Sequence, residues 1–392
     1  MNIHSFPNNN RIPRPHRSFF TAVILLICAT TMIACGRTLP PQMEFVLGTI
    51  CNVNLFEFGT QKLYAAIYER IREIDQTMNV QVREGDNHLS TLMIINQNAG
   101  IAPVKIGKDL FDLLEKAKYY AEITNGAFDP TVGPLVSLWG IGTENERIPK
   151  PEEIKNALPL INWRDMILDR EQGTAFLQRQ GMALDLGAIA KGYAGDEAIR
   201  IAKEAQVGHA IIDLGGNIVV LGARNIPKKN LAAVPWRVGV QDPLAERGSY
   251  IGVLSVTDTS IVTSGVYERF FMVDGKRYHH ILSTTDGYPV DNGLLSVTIV
   301  THNSTDADGL STSVFTLGFE KGLALLKTLP NTEAIFIFTD HSVYVTDGLR
   351  DIFQLTNSEY RIIGIGDQGS GIRDRGMKSE LSNRSVLATC YA

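Results

Sequence analysis

Apolar and polar residues recur along the chain with two periods, one typical of strands and one typical of helices. Residues 44–58 alternate with a period of two and predict β structure. Residues 63–78 and 108–123 place apolar side chains three and four positions apart, so each stretch predicts an amphipathic helix. Residues 125–142 are punctuated by glycine and proline and predict a loop, after which a short helix is predicted from Pro151 to about residue 158.

The second half of the chain continues this mixture of strands and helices. A strand over 182–186 is followed by a helical pattern over 188–205, and residues 209–221 predict two strands about a turn. Asp274-Gly275 is the residue pair that a type I′ hairpin turn prefers. The remaining predicted elements are strands over 270–273, 276–282, 294–300, 334–338 and 343–346 and a helix over 306–317.

These elements predict an α+β fold with mixed sheets and packed helices, built as one core or as two closely joined lobes. The folded domain is expected over residues 44–356, with a flexible polar tail over 357–392. With 44% hydrophobic and 20% charged residues, the chain has the composition of a soluble globular protein, which excludes a wholly disordered or coiled-coil chain. The net charge of −5 offers no basic field, so nucleic acid is excluded as a partner.

The N-terminal segment has the features of a bacterial lipoprotein signal. Residues 1–34 carry three arginines and no acidic residue, followed by an apolar run that is short for a transmembrane helix. The run ends at Met32-Ile33-Ala34-Cys35-Gly36, which resembles a lipobox and predicts cleavage before Cys35 and a lipid on its sulfur. Residues 35–43 would then be a tether to the membrane, on the periplasmic side of the cell envelope. An uncleaved N-terminal anchor is the alternative.

Familiar catalytic signatures do not identify the chemistry. The sequence contains no P-loop, no HExxH and no CxxC. His279 and His280 are adjacent rather than four residues apart, so they make a poor zinc pair on a helix. In a strand the two rings point to opposite faces, and the ring that faces a site could serve as a general base. A structural histidine is the alternative.

Three further clusters carry candidate chemistry. Asp308, Ser311 and Thr312 lie one turn apart on a predicted helix and offer hard oxygen donors that suit Mg²⁺, although a helix cap with a buried threonine would look the same. Lys191 follows a strand–glycine–helix junction at Asp185 and could reach a phosphate, although such junctions are common. The loop that contains Phe128-Asp129 offers an aromatic face beside an acceptor, or simply a rigid turn with a core phenylalanine.

Taken in order, these clusters resemble the ApbE family of Mg²⁺-dependent flavin transferases. The resemblance covers residues 44 to 350 and rests on several motifs together. They are Gly-Ala-Phe-Asp-Pro-Thr-Val-Gly-Pro-Leu at 126–135, Asp-Leu-Gly-Ala-Ile-Ala-Lys-Gly-Tyr-Ala at 185–194, Asp-Leu-Gly-Gly-Asn at 213–217, Ser-Gly-Val-Tyr-Glu-Arg at 264–269 and Ala-Asp-Gly-Leu-Ser-Thr at 307–312. The resemblance implies an ApbE-like, T-fold-related catalytic body.

Members of this family transfer FMN from FAD to a threonine of an acceptor protein and release AMP. The resemblance implies that FAD is contacted by Ala127, Phe128, Asp129, Asp185, Lys191 and Ile281. It also implies that Mg²⁺ is held by the Ala188 carbonyl, Asp308 and Thr312, with Ser311 adjacent. His280 is our candidate for the base that activates the incoming hydroxyl or water.

Two other functions are compatible with the same residues. Many family members have an aromatic residue at the position of Gln81, after Met78-Asn79-Val80, and this chain lacks that ring. An FAD pyrophosphatase would use the same binding residues and differ only in having water attack. A non-catalytic flavin-binding lipoprotein would retain FAD without turnover.

Overall fold

The structure is a computed structural model that describes residues 38–80, 88–224 and 232–364. Its strands are β1 (Gln42–Val46), β2 (Thr49–Leu55), β3 (Val104–Lys105), β4 (Met166–Asp169), β5 (Thr174–Leu177), β6 (Ala210–Leu214), β7 (Asn217–Leu221), β8 (Trp236–Gln241), β9 (Tyr250–Val256), β10 (Thr259–Gly265), β11 (Phe270–Val273), β12 (Lys276–His279), β13 (Leu294–Thr301), β14 (Glu333–Phe338), β15 (Ser342–Val345), β16 (Phe353–Leu355) and β17 (Arg361–Ile363). Its α-helices are α1 (Gln61–Met78), α2 (Thr91–Gln97), α3 (Lys108–Ile123), α4 (Gly133–Trp139), α5 (Pro151–Ala157), α6 (Ala190–Glu204), α7 (Ser304–Leu317) and α8 (Phe319–Leu326).

A nine-stranded mixed sheet forms the centre of the fold. Its strands lie in the order β1-β2-β6-β7-β10-β13-β14-β15-β17. Neighbouring strands are antiparallel except β15 and β17, which are parallel. Two three-stranded sheets, β16-β9-β8 and β3-β5-β4, and the β11-β12 hairpin complete the strands described. The predicted architecture of mixed sheets with packed helices is confirmed.

Helices cover one face of the nine-stranded sheet and bury its apolar residues. Val53, Ile212 and Val219 lie opposite one another in successive strands and are all buried. Helix α6 approaches this face so closely that a Cβ on Gly195 would lie 3.0 Å from a methyl carbon of Val219. Because α1 and α7 both pack against α6, this layer fixes where the ends of α6 and α7 meet.

A smaller apolar cluster lies outside the main core. It centres on Trp139 at the end of α4 and includes Leu135 and Ile154. The indole N–H of Trp139 donates to the carbonyl of Gly287 at 2.8 Å, which ties this cluster to the segment after β12. The fold therefore has one principal core with a small second cluster joined to it, between the two arrangements that the sequence predicts.

Several predicted elements differ from the structure. The stretch over 125–142 contains helix α4, because Pro134 stands in its first turn, where a missing N–H costs nothing. The predicted strand over 182–186 is an extended segment in which only Ala183 makes a bridge, to Val132. By contrast, the helix over 108–123 is confirmed, and so is the Asp274-Gly275 turn, whose φ angles of 49° and 76° match a type I′ turn.

The fold extends further toward the C-terminus than the sequence predicts. Strand β17 pairs with β15, so the fold continues to at least Ile363 and past the tail boundary expected at residue 357. The candidate signal and Cys35 lie outside the described residues, as does the chain beyond residue 364. Within the three described stretches, no helix is long and apolar enough to cross a membrane.

Candidate active site

A large cavity opens where the start of helix α6 and the side of helix α7 meet strands β7 and β10. Its volume is about 940 Å³, the size of a site for a substantial small molecule. The predicted site residues that line it are Ala127, Phe128, Asp129, Asp185, Ala188, Lys191, His280, Ile281, Asp308 and Thr312. Residues that are far apart in the sequence are thus brought to one cavity, and of the predicted set only Ser311 stands behind its wall.

The start of helix α6 is bonded to the side chain of Asp308 on helix α7. The amide of Gly192 would ordinarily close the first helical turn onto the Ala188 carbonyl. It donates instead to Oδ2 of Asp308 at 2.8 Å. Asp308 and Ala188, whose carbonyl does not accept from the Gly192 amide, both line the cavity.

Asp308 is buried, and its charge is balanced by neighbours. Burial raises the pKa of this carboxyl, while the Lys191 ammonium, the Gly192 amide and the Asn217 side chain favour its charged form. The ammonium of Lys191 also donates to Oδ1 of Asn217 at 3.3 Å. Asn217 has no role in the sequence-based assignment, although it closes the 213–217 motif, and the structure places it between the two charged groups.

Three hydroxyls, of Ser264, Ser311 and Thr312, are joined by hydrogen bonds one helical turn along α7 from Asp308. Ser311 is fully buried, and its Oγ bonds to the carbonyl of Asp308 at 2.9 Å and to Oγ of Ser264 at 2.8 Å. Oγ1 of Thr312 lies 3.1 Å from the same Ser264 hydroxyl and lines the cavity. Ser264 is a residue that the sequence reasoning did not select, although it opens the 264–269 motif. Ser311 supports the wall rather than facing the cavity.

The donor set suits a hard cation better than zinc. Asp308 supplies one carboxylate, and Ala188 and Thr312 supply neutral oxygens, which fits Mg²⁺. Within residues 38–80, 88–224 and 232–364, no three His, Cys, Asp or Glu side chains cluster as metal ligands would. A site with one carboxylate leaves most of the coordination of Mg²⁺ to water and to substrate phosphates.

The loop at 127–129 lines the cavity, but two of its side chains serve the fold. Phe128 is 5% exposed and packs edge-on against Tyr120. The carboxylate of Asp129 accepts hydrogen bonds from the amide and hydroxyl of Thr131 and from the amide of Trp163, at 2.7 to 3.0 Å. These two side chains therefore match the alternative that the sequence left open, a rigid turn with a core phenylalanine.

Asp185 also uses its carboxylate locally. Its Oδ1 accepts from the Gly187 amide at 2.8 Å, and its own amide donates to the Pro130 carbonyl at 2.8 Å. These bonds fix the turn that leads into α6 and join it to the loop at 127–130. The half-buried side chain still lines the cavity.

The two adjacent histidines are separated as the strand pattern predicts. His279 is buried, its Nε2 bonds to the carbonyl of Val290 at 2.9 Å, and its Nδ1 accepts from the Ile281 amide at 3.3 Å. His280 lines the cavity, and its Nδ1 lies 3.2 Å from the Arg269 carbonyl. Because that carbonyl can only accept, Nδ1 carries the proton and Nε2 is left as an acceptor.

Burial also keeps the ring of His280 neutral. It lowers the pKa of His280 well below the usual value of 6.5, and the positive charge of Arg269 acts in the same direction. A neutral imidazole with an unprotonated Nε2 at a cavity wall has the form that a general base requires. Ile281, beside it, is buried and bonded through its carbonyl to the Val290 amide at 2.9 Å.

The fold and the cavity define an α+β protein whose cavity is large enough for a sizeable ligand and is lined by oxygen donors. The model of the ApbE family matches residues 47–336, and the chain belongs to that family. Proteins named FAD:protein FMN transferase are among its relatives. One from Treponema pallidum is 38% identical over 327 residues, which cover 81% of this chain and 90% of that protein. One from Klebsiella pneumoniae is 37% identical over 303 residues, which cover 77% and 90%.

Solved structures agree with this assignment. The crystal structure of the ApbE protein from Thermotoga maritima matches with a TM-score of 0.70 and 30% identity, over 80% of this chain and 98% of that one. The flavin transferase ApbE from Vibrio cholerae matches with a TM-score of 0.65 and 25% identity, over 82% and 97%. The expected ApbE-like body is confirmed.

Proposed function

We propose that this protein transfers FMN from FAD to a threonine hydroxyl of an acceptor protein, in the presence of Mg²⁺, and releases AMP. The observation that carries the proposal is the bond between the Gly192 amide and the buried Asp308 carboxylate, which leaves the Ala188 carbonyl outside the bonding of the helix, with Ala188 and Asp308 both lining the cavity. The names of the relatives support flavin transfer from FAD. The oxygen donors of Asp308, Thr312 and Ala188 support Mg²⁺ as the metal.

Each part of the cavity has a task in this proposal. Lys191 and the turn at Asp185 would hold the pyrophosphate and the nucleotide of FAD, and the loop at 127–129 and Ile281 would bound the space for the flavin. Asp308, Thr312 and the Ala188 carbonyl would hold Mg²⁺, with Ser311 and Ser264 fixing the hydroxyl of Thr312. When bound, Mg²⁺ would neutralise charge on the pyrophosphate and on departing AMP.

His280 would take the proton of the attacking hydroxyl. The threonine oxygen forms a bond to the phosphorus of the FMN half of FAD, and the bond from that phosphorus to the AMP oxygen breaks. The hydroxyl proton passes to Nε2 of His280, which is unprotonated because Nδ1 bonds to the Arg269 carbonyl. With water in place of threonine, the same steps give free FMN and AMP.

The test is an assay of both products. The full-length chain is incubated with FAD and either Mg²⁺ or EDTA, with and without a protein that carries a flavinylatable threonine. AMP released together with covalently fluorescent acceptor, in Mg²⁺ only, supports the proposal. AMP and free FMN regardless of acceptor would mean a pyrophosphatase, and bound FAD without AMP would mean a flavin-binding protein.

We also propose that the body works at the cell envelope, tethered to a membrane by a lipid on Cys35. The support is the sequence of residues 1–36, with its charged start, its short apolar run and the lipobox-like Met32–Gly36. Mass spectrometry of the purified mature chain tests this proposal. A lipid-modified cysteine at the first position is expected, and an N-terminus that still begins at Met1 would contradict cleavage.

A further inference from the structure

An exposed apolar shelf lies on the first hairpin of the fold. It consists of Met43, Phe45 and Ile50, which are 54%, 72% and 41% exposed. Phe45 and Ile50 lie directly opposite each other in the β1–β2 register, so they share one face of the sheet. Apolar side chains grouped in this way on a soluble surface are typical of an interaction site.

The strand register places this shelf on the same face of the sheet as two strand residues of the cavity wall. In β2, Ile50 and Asn52 point to one face because they are two residues apart. Asn52 lies opposite Asp213, Asp213 lies opposite Ile218, and Ile218 lies opposite Ile261.

Ile218 and Ile261 both line the cavity. β1 is three strands from β7, which corresponds to roughly 15 Å along the sheet. The shelf therefore lies on the same face of the sheet as this part of the cavity wall, with Asn52 and Asp213 between them.

The hairpin also has an edge strand that leads to the cavity. Among the described strands, β1 pairs only with β2, so it is an edge of the nine-stranded sheet. It runs toward the turn at Leu47-Gly48-Thr49, and this turn lines the cavity. An extended chain that added to β1 would be guided along the shelf to the cavity mouth.

We propose that the shelf and the β1 edge dock an extended, apolar segment of the acceptor protein and so deliver its threonine to the cavity. This inference rests on the proposed function. A threonine must leave its own fold far enough to enter a deep site, and an extended segment does this most simply. Strand addition supplies backbone hydrogen bonds, and Met43, Phe45 and Ile50 supply apolar contacts.

The test separates acceptor binding from flavin chemistry. A Phe45→Ser/Ile50→Ser variant of the full-length chain is compared with the wild type, with FAD, Mg²⁺ and an unflavinylated acceptor protein. We expect the KM for the acceptor to rise at least tenfold, with little change in kcat or in the affinity for FAD. An Ile101→Ser variant is the matched control, because Ile101 is 70% exposed and lies outside the cavity lining.

Other outcomes would overturn the inference. If the wild type labels the acceptor and the double variant labels it with the same KM, the shelf does not dock the acceptor. An unchanged KM with loss of a dimer in sedimentation would assign the shelf to a second copy of the chain. An unchanged KM with weaker binding to phosphatidylethanolamine–phosphatidylglycerol vesicles would assign it to the membrane. If the wild type labels no acceptor, it is the proposed function that fails.

Discussion

The amide of Gly192 and the carboxylate of Asp308 are joined by a 2.8 Å hydrogen bond that ties the start of one helix to the side of another. The bond takes the amide away from the first turn of α6, so the Ala188 carbonyl does not receive that helical hydrogen bond. Since Asp308 and Ala188 both line the cavity, this contact between two packed helices organises the proposed metal site.

Gly192→Ala should break this arrangement, although alanine is the better helix former. A Cβ there would lie 2.3 Å from the Ser304 carbonyl and 2.7 Å from Cβ of Asp308, so the helices must separate. We expect a loss of about 1–3 kcal/mol in the free energy of unfolding, measured in urea, and loss of AMP release. Lys203→Ala, an exposed change on the same helix, is the control and should alter the free energy of unfolding by less than about 0.5 kcal/mol. A more stable Gly192→Ala variant would contradict the account.

Asp308→Asn should remove metal dependence while the fold is kept. The amide oxygen can still accept from Gly192, and burial already disfavours the charged carboxylate, so the melting temperature should not fall. The negative charge that attracts Mg²⁺ is lost, and AMP release should drop by about a hundredfold or more. FAD binding measured by fluorescence in EDTA should be unchanged. Normal turnover at ordinary Mg²⁺ concentrations would rule out Asp308 as a ligand.

His280→Gln should slow transfer about a hundredfold and leave FAD binding intact, because a general base contributes roughly that factor. In the wild type, burial holds the pKa of His280 below 6.5, so the ring stays neutral at pH 6.5 and above. The rate of transfer should therefore fall only on the acid side of pH 6.5, and this limb should vanish in the variant. A variant with wild-type turnover would remove the base assignment.

His279 should make the fold sensitive to acid. Burial lowers its pKa in the folded chain, whereas the unfolded chain binds a proton near pH 6.5. As the pH falls below that value the unfolded state gains protons first, so stability falls, by up to about 1.4 kcal/mol per pH unit. Urea unfolding of the wild type and of His279→Gln at pH 8 and pH 5 measures this slope. The variant should be less stable at pH 8 and show a flatter dependence, and parallel slopes would contradict the assignment.

The sequence predicts an element of this fold correctly where the residues that determine the element are close together in the chain. The helix Lys108–Ile123 and the Asp274-Gly275 turn are predicted to the residue, because periodicity and turn chemistry act over a few positions. Helix α4 is missed because a proline in a first turn looks like a loop signal. The segment at 182–186 is as apolar as a strand, but only Ala183 finds a bridging partner.

The features of the site divide in the same way, into those that a sequence motif predicts and those that depend on tertiary packing. Motif residues such as Lys191, His280 and Asp308 do meet at the cavity, as the family resemblance implies. The sequence does not indicate that the carboxylate of Asp129 accepts hydrogen bonds from Thr131 and Trp163, since Trp163 is 34 positions away. It likewise gives no sign that Ser264 joins Ser311 and Thr312, which follow it by 47 and 48 positions. Such pairings arise from tertiary packing.

The most direct test of the account is the chemical fate of the acceptor threonine. The acceptor protein is incubated with FAD, Mg²⁺ and either the wild-type chain or Asp308→Asn, then digested and mapped by mass spectrometry. The account predicts FMN linked through its phosphate to one threonine, with an equal amount of AMP, for the wild type alone. AMP with free FMN and an unmodified threonine would contradict it.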